Sequence, residues 1–379
     1  MPLACPVTVL PAPTWAGTFT SLQARENALS MLAELVEVVI GVDTHKDTHS
    51  AAVLAAGTGA VLAEITVCAD PDGYTALLAL GREHGVLRGW AIEGTGGYGA
   101  GLARHLAQAG ELVVELDRPA RPARRAGAKS DPIDAVRAAR DALARARVTV
   151  PRADGERASL QIRLSTRQAA VDGVTEAKSQ LHALVISAPE QVRAKFRGLS
   201  TTAMLRKASR LRPARSAADV HVFTALSALR ALALRITLLQ DEADAHEAEI
   251  LAIVRSWRPD LLELPGVGPI VSATVLSAWS HPGRVADDGA FAMLAGTAPI
   301  PASSGRTIRH RLNRSGDRRL NSAIHTIAVS RMRFHPPTRA YVERRRTEGK
   351  TDPEIRRCLK RYITRQLYRQ LEHPPAAGA

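Results

Sequence analysis

Cysteine is scarce in this chain. Cys5, Cys68 and Cys358 are the three in 379 residues, odd in number, far apart and without metal-ligand spacing. That excludes a disulfide framework and a thiolate zinc site. No apolar run reaches the roughly 18 to 20 residues of a membrane span. The opening Met-Pro-Leu-Ala-Cys-Pro also lacks the charged region and long apolar stretch of a secretory signal. The expectation is a cytoplasmic protein with no membrane partner.

Acidic residues are outnumbered, 37 against 51 Lys and Arg, for a formal charge of +14. The imbalance is local. From Pro301 to Ala379 there are 19 Lys and Arg against 6 Asp and Glu, so +13 sits in the last fifth of the chain. A solvated basic face could carry such charge, but Tyr341, Tyr362 and Tyr368 lie among the arginines and offer stacking surfaces. The block therefore fits a surface that neutralises phosphates. A second basic run, Arg118, Arg121, Arg124, Arg125 and Lys129, leads directly into Asp131.

Apolar residues are plentiful, at 45%, enough for packed cores in two or three domains. Residues 1–35 are rich in Pro, Ala and Thr without period and read as a disordered extension, with Met31 as an alternative start. From 36 to 150, strands are expected at 37–43, 49–55, 61–67, 88–93 and 111–116, and helices at 71–84 and 97–109. Three strands on short turns followed by alternating helices and strands describe an α/β RNase H-like sheet. Asp131 and Pro132 then open an alanine-rich helix to about Ala146. Residues 151–258 read as helical. Leu160, Leu164, Val171, Val174, Leu181 and Val185 keep one seam, and Leu226, Leu229, Ala233, Ile236, Ala243, Ile250 and Val254 another. Such seams suit an antiparallel hairpin, an oligomer contact or an ordinary bundle. The last region, 259–379, opens on Leu264-Pro-Gly-Val-Gly-Pro269, a helix-hairpin-helix-like turn whose Gly266 and Gly268 would let backbone N–H groups approach a phosphate. A basic hairpin, Arg306 to Arg319, follows, with helices to about Leu371.

Four carboxylates carry most of the chemistry. Asp43 ends the strand Val-Val-Ile-Gly-Val-Asp, Glu93 ends Trp-Ala-Ile-Glu, and Asp131 and Asp134 stand three apart at a helix start. In an RNase H-like sheet the first and fourth strands are neighbours, so Asp43 and Glu93 share one sheet end, toward which Asp131 and Asp134 project. Crowded carboxylates repel unless cations lie between them, and a pair of Mg²⁺ ions for phosphodiester chemistry needs this set. Gly94-Thr-Gly-Gly-Tyr-Gly99 also satisfies a dinucleotide-binding pattern. It follows the fourth strand, however, and Glu93 would crowd a pyrophosphate. His45 and His49, close to Asp43, suggest a His/Asp metal site, but their spacing from the strand favours surface or supporting positions. Ser304 has no base near it in sequence, but Arg306, Arg309, Arg311 and Arg314 could hold a phosphate that it attacks.

These residues resemble the insertion-sequence-110 family of transposases, bridge-RNA-guided recombinases with an Asp-Glu-Asp-Asp tetrad. The resemblance runs from about Val38 to Leu371. It is carried by Gly41-Val-Asp-Thr-His-Lys-Asp-Thr-His49, Glu93-Gly-Thr-Gly-Gly-Tyr98, Lys129-Ser-Asp-Pro-Ile-Asp134, Leu264-Pro-Gly-Val-Gly268, and Ser303-Ser-Gly305 with Arg318-Arg-Leu320. It implies a resolvase-like domain, a coiled-coil region for homo-oligomer assembly as a dimer or tetramer, and a basic C-terminal transposase domain. By position, Asp43, Glu93, Asp131 and Asp134 would bind Mg²⁺ and Ser304 would be the nucleophile. Arg318 and Arg319 would join the other basic residues on nucleic acid. The implied partners are the DNA of element ends and target and a bridge RNA, in a bacterial nucleoid. A Mg²⁺-dependent Holliday-junction-resolvase-like nuclease and a non-catalytic nucleic-acid-binding protein are the alternatives. Residues 1–30 and the missing second glycine after Ser304-Gly305 depart from the family pattern.

Overall fold

The computed structural model describes residues 31–116, 131–214, 219–302 and 310–374. They form two compact units: the chain up to Arg152 with His281–Arg284, and Ala153–Ser280 with the chain from Val285 onward.

In the first unit α1 (Leu32–Leu35) precedes β1 (Val38–Thr44), β2 (Thr48–Ala55) and β3 (Val61–Cys68), then α2 (Pro71–His84), β4 (Arg88–Glu93), α3 (Ala100–Gln108), β5 (Leu112–Leu116) and α4 (Asp131–Ala144). The sheet order is β3-β2-β1-β4-β5. β1 runs antiparallel to β2 and parallel to β4, and β4 runs parallel to β5. This is the mixed RNase H-like sheet expected from short turns first and crossover helices later. Asp70 caps α2 by accepting from the Gly73 N–H at 2.8 Å, with Pro71 at the first helical position. One face of β1, through Val38, Ile40 and Val42, packs with Leu77, Leu102 and Leu106 of α2 and α3. The other, through Val39, packs with Ala135, Ala138 and Ala139 of α4.

One expectation about the amino terminus changes. Leu32 is fully buried and Val36 lies beside it in the α4-side core, so structure begins before residue 36. The Leu-x-x-x-Val spacing over one helical turn, closed by the Glu34 carboxylate on the Met31 N–H at 3.3 Å, accounts for it. Residues 1–30 lie outside the described set.

Among its described residues the second unit is helical apart from one two-residue strand pair. α5 (Glu156–Ser187), α6 (Glu190–Arg193), α7 (Thr201–Ser209) and α8 (Val220–Trp257) come first. Contacts such as Arg167 with Glu247 at 2.8 Å and Arg163 with Glu249 at 3.8 Å show that α5 and α8 pair antiparallel. The seam lies within one chain, and Ala225 rather than Leu226 is its buried residue near the start of α8. By length and composition α8 could cross a membrane, contrary to the sequence reading, because only two arginines interrupt its apolar first half. Its Leu229, Ala233 and Ile236 face packs in the core shared with α5 and α7.

A 3₁₀ turn (Pro259–Glu263) leads to α9 (Pro269–Trp279), α10 (Asp288–Leu294), β6 (Ile300–Pro301), β7 (His310–Arg311), α11 (Arg318–Phe334), α12 (Pro336–Thr347) and α13 (Asp352–Glu372). The C-terminal end of α13 is clamped. Buried Arg258 pairs with Asp260 at 2.8 Å and donates to the Gln370 and Leu371 carbonyls, while the Trp279 indole donates to Glu372 at 2.7 Å. Leu160, Ile250 and Val254 of the long helices share one core with Leu320, Ile355 and Leu367.

Candidate catalytic carboxylates and basic hairpin

The parallel register Val42 with Ile92 makes Asp43 and Glu93 the next residues on adjacent strands. The Thr44 hydroxyl ties the two ends together, donating to the Glu93 carbonyl at 2.9 Å. Strand alternation puts Val39, Gly41 and Asp43 on the α4 face. There the helix comes unusually close: a Cβ on Gly41 would stand 2.1 Å from the Ala135 carbonyl oxygen and 2.5 Å from the Ala139 nitrogen. Gly41 and the alanines of α4 therefore set the height of the helix above β1, and with it the height of Asp131 and Asp134. Asp131 is the first helical residue rather than the cap.

Asp43 Oδ2 lies 3.1 Å from His45 Nε2, which lies 3.5 Å from Asp131 Oδ1. One donor atom from each of these three side chains falls within a 4.8 Å set. Asp134 turns aside to Arg137 at 2.8 Å, and neither it nor Glu93 belongs to the set. The Asp43 side chain is only 14% exposed, against 53% for Asp131. Burial pushes the Asp43 carboxyl above its ordinary value; His45 opposes that rise, and the charges of Asp134 and Asp131 add to it. A partly buried carboxylate facing two others is an electrostatic deficit that a cation would fill, so these residues fit a divalent metal.

The two histidines separate. His45 is half-exposed and reaches the carboxylates, as a supporting position would. His49 is fully buried, not at the surface: on the opposite sheet face it stacks on Tyr74 at 5.7 Å, and burial lowers its pKa. Gly94 to Gly99 form the turn from β4 into α3, with Gly94 at φ 68°.

In the second unit Gly266 has φ 75°, and a Cβ there would lie 3.3 Å from the Ile327 carbonyl oxygen. Arg331 holds the same turn, donating to the Pro265 carbonyl at 2.7 Å. Gly268 has open space around it and begins α9 without a side-chain cap, so fold demands Gly266 and leaves Gly268 free to meet a ligand. Arg311, Arg314, Arg318 and Arg319 are exposed, and their guanidinium groups have no partner among the described residues. Arg318 and Arg319 occupy the first turn of α11, an end capped by the Asp317 carboxylate. Arg118, Arg121, Arg124, Arg125, Lys129, Ser303, Ser304, Arg306 and Arg309 lie outside the described residues.

Two family models match this chain. Residues 40–188 match a transposase model named for a DEDD motif and IS110, and residues 259–343 match the transposase family of IS116, IS110 and IS902. The first stretch holds all four carboxylates, and the second holds the hairpin glycines, Ser304 and the α11 arginines. The chain belongs to the IS110 family of transposases. It is 31% identical over 143 residues to the insertion element IS110 uncharacterized 43.6 kDa protein of Streptomyces coelicolor, covering 37% of this chain and 35% of that protein. It is 33% identical over 126 residues to the insertion element IS900 uncharacterized 42 kDa protein of Mycobacterium paratuberculosis, covering 31% and 32%. The matched stretch thus spans about a third of each relative's length. For this IS110-family member, the DEDD motif points to a divalent cation.

Proposed function

We propose that the chain is a DNA recombinase that excises and inserts its own element, with Asp43, Glu93, Asp131 and Asp134 as Mg²⁺ ligands and Ser304 as nucleophile. The observation that supports this reading is the junction of β1, β4 and α4, where Asp43 and Asp131 come together at His45, Glu93 follows in register on the next strand and Asp134 lies three residues on along α4. Bound Mg²⁺ would polarise the scissile phosphate and balance its developing charge. The Ser304 Oγ–P bond forms as the P–O3′ bond breaks; the serine proton passes to the leaving 3′ oxygen, giving a 5′ phosphoserine ester and a free 3′ hydroxyl. The ester keeps the bond energy for the reverse attack. Hydrolysis by water would lose it.

Arg311, Arg314, Arg318 and Arg319, exposed and unpaired among the described residues, would hold DNA or RNA phosphates, together with Arg118, Arg121, Arg124, Arg125, Lys129, Arg306 and Arg309. The uncapped start of α9 at Gly268, with open space where a Cβ would stand, would add backbone N–H donors to a phosphate. Target choice by pairing with a bridge RNA completes the reading, since phosphate contacts carry no sequence information themselves. Assembly as a homo-oligomer is part of it, supported by Leu234 and Leu238 exposed on α8.

A DNA substrate labelled beside a nick tests the chemistry. Wild-type protein with Mg²⁺ should become covalently attached to the 5′ phosphate, and Ser304→Ala should abolish the adduct while Ser303→Ala keeps it. Cleavage without any adduct in the wild type would instead favour the resolvase-like nuclease.

A further inference from the structure

We infer that His45 is a metal ligand in its own right, making the cation site a mixed nitrogen and oxygen site of Asp43, His45 and Asp131 that takes Mn²⁺ more tightly than Mg²⁺. This rests on the carboxylate reading above and adds a donor to it.

The distances have the scale of a coordination sphere. Adjacent donors around an octahedral ion at roughly 2.1 Å are about 3 Å apart, and opposite donors about 4.2 Å apart. His45 Nε2 stands 3.1 Å from Asp43 Oδ2 and 3.5 Å from Asp131 Oδ1, with all three donor atoms inside 4.8 Å. An ion entering among them needs shifts of side chains rather than of backbone. The backbone that carries the ring is anchored, because the His45 backbone N–H donates to the Thr48 carbonyl at 3.0 Å and so fixes the turn between β1 and β2. Asp134, by contrast, must first leave Arg137. His49 cannot substitute: it lies buried on the opposite face with Nδ1 on the Thr48 carbonyl at 3.0 Å.

The donor set determines the ion. Carboxylate oxygens suit Mg²⁺ and Mn²⁺ alike, whereas an imidazole nitrogen favours first-row transition ions and adds little for Mg²⁺. The rival account makes His45 a hydrogen-bond bridge between two carboxylates that departs when metal arrives. Both accounts share the distances above, and only one leaves nitrogen on the ion.

Pulsed electron paramagnetic resonance of the full-length protein loaded with Mn²⁺ separates them. Directly bound imidazole should give a ¹⁴N coupling in the wild type that is absent in His45→Gln. The variant should also bind Mn²⁺ about tenfold more weakly while its Mg²⁺ affinity changes less than about twofold, with an unaltered thermal melt. Mn²⁺ binding that depends on Asp43 but shows no ¹⁴N coupling would overturn the role of His45 and leave the carboxylates in place. No Mn²⁺ binding at all would overturn both.

Discussion

The two units present charge in opposite ways. In the first, a few carboxylates converge at the end of two buried parallel strands, and the position of each depends on backbone packing. In the second, arginines spread over exposed helices, and several are already held: Asp288 takes Arg361 at 2.6 Å and Arg365 at 3.0 Å, and Asp352 takes Arg346 at 2.9 Å. Their hydrogen bonds from Arg361 and Arg365 keep the Asp288 carboxyl below its ordinary value. A convergent site is sensitive to tenths of an ångström, while a dispersed one is sensitive to how many cations remain. One substitution should disable the first and only weaken the second.

The largest effect is expected at Gly41. Gly41→Ala would put a Cβ 2.1 Å from the Ala135 carbonyl oxygen, forcing α4 off β1 and carrying Asp131 and Asp134 with it. DNA cleavage should fall by about a hundredfold or more, as expected for catalytic groups displaced by about 1 Å. Gly96→Ala, with no atom within 4 Å of the new Cβ and no positive φ, serves as the control and should cleave normally. Equal cleavage rates in the two variants would show that the height of α4 does not matter.

A smaller and graded loss is expected in the second unit. Replacing both Arg318 and Arg319 by Ala should weaken nucleic-acid binding by about tenfold at moderate salt and make the salt dependence shallower by about two counterions. Binding titrations at several salt concentrations measure both. An unchanged slope would place the phosphates elsewhere.

The smallest effect concerns stability. A carboxyl raised in the folded state binds its proton more readily there than in the unfolded chain, so ionised Asp43 destabilises the fold above its folded pKa. That penalty disappears as pH falls through the raised pKa toward the ordinary carboxylate range. Asp43→Asn should therefore melt about 2 °C higher than wild type at pH 7.5, with the gap closing on acidification, even though cleavage is lost. A gap that widens toward low pH would reverse the sign assigned to this group.

Much of the first unit was legible because its signals are local. Apolar runs ending in Asp43 and Glu93, turn residues at 57–59 and 70–73, and the Asp-Pro start of α4 each mark one element, and the five strands fall within a residue or so of expectation. His45 was legible as a supporting position and no further, because the turn after β1 doubles back and nothing in its spacing shows that its ring meets a residue 86 positions later. Gly41 carried a readable signal, since a glycine inside an apolar strand marks a close backbone approach. Its partner, however, is known only once α4 is placed. The seam of α8 through Leu229, Ala233 and Ile236 was legible, while its membrane-compatible length was not, because Arg230 and Arg235 break the apolar run. In the hairpin the sequence could not distinguish Gly266, fixed by its positive φ and by α11, from Gly268, which packing leaves open.

The clamp at the end of α13 has a practical consequence for anyone tagging or trimming the molecule. Arg258 is buried and uses the Gln370 and Leu371 carbonyls, and Trp279 uses Glu372. A shortened version ending before Gln370 would leave Arg258 with Asp260 alone and the buried Trp279 indole N–H without its acceptor, so a thermal melt should accompany any binding assay on it. A reporter fused beyond His373 leaves that clamp untouched.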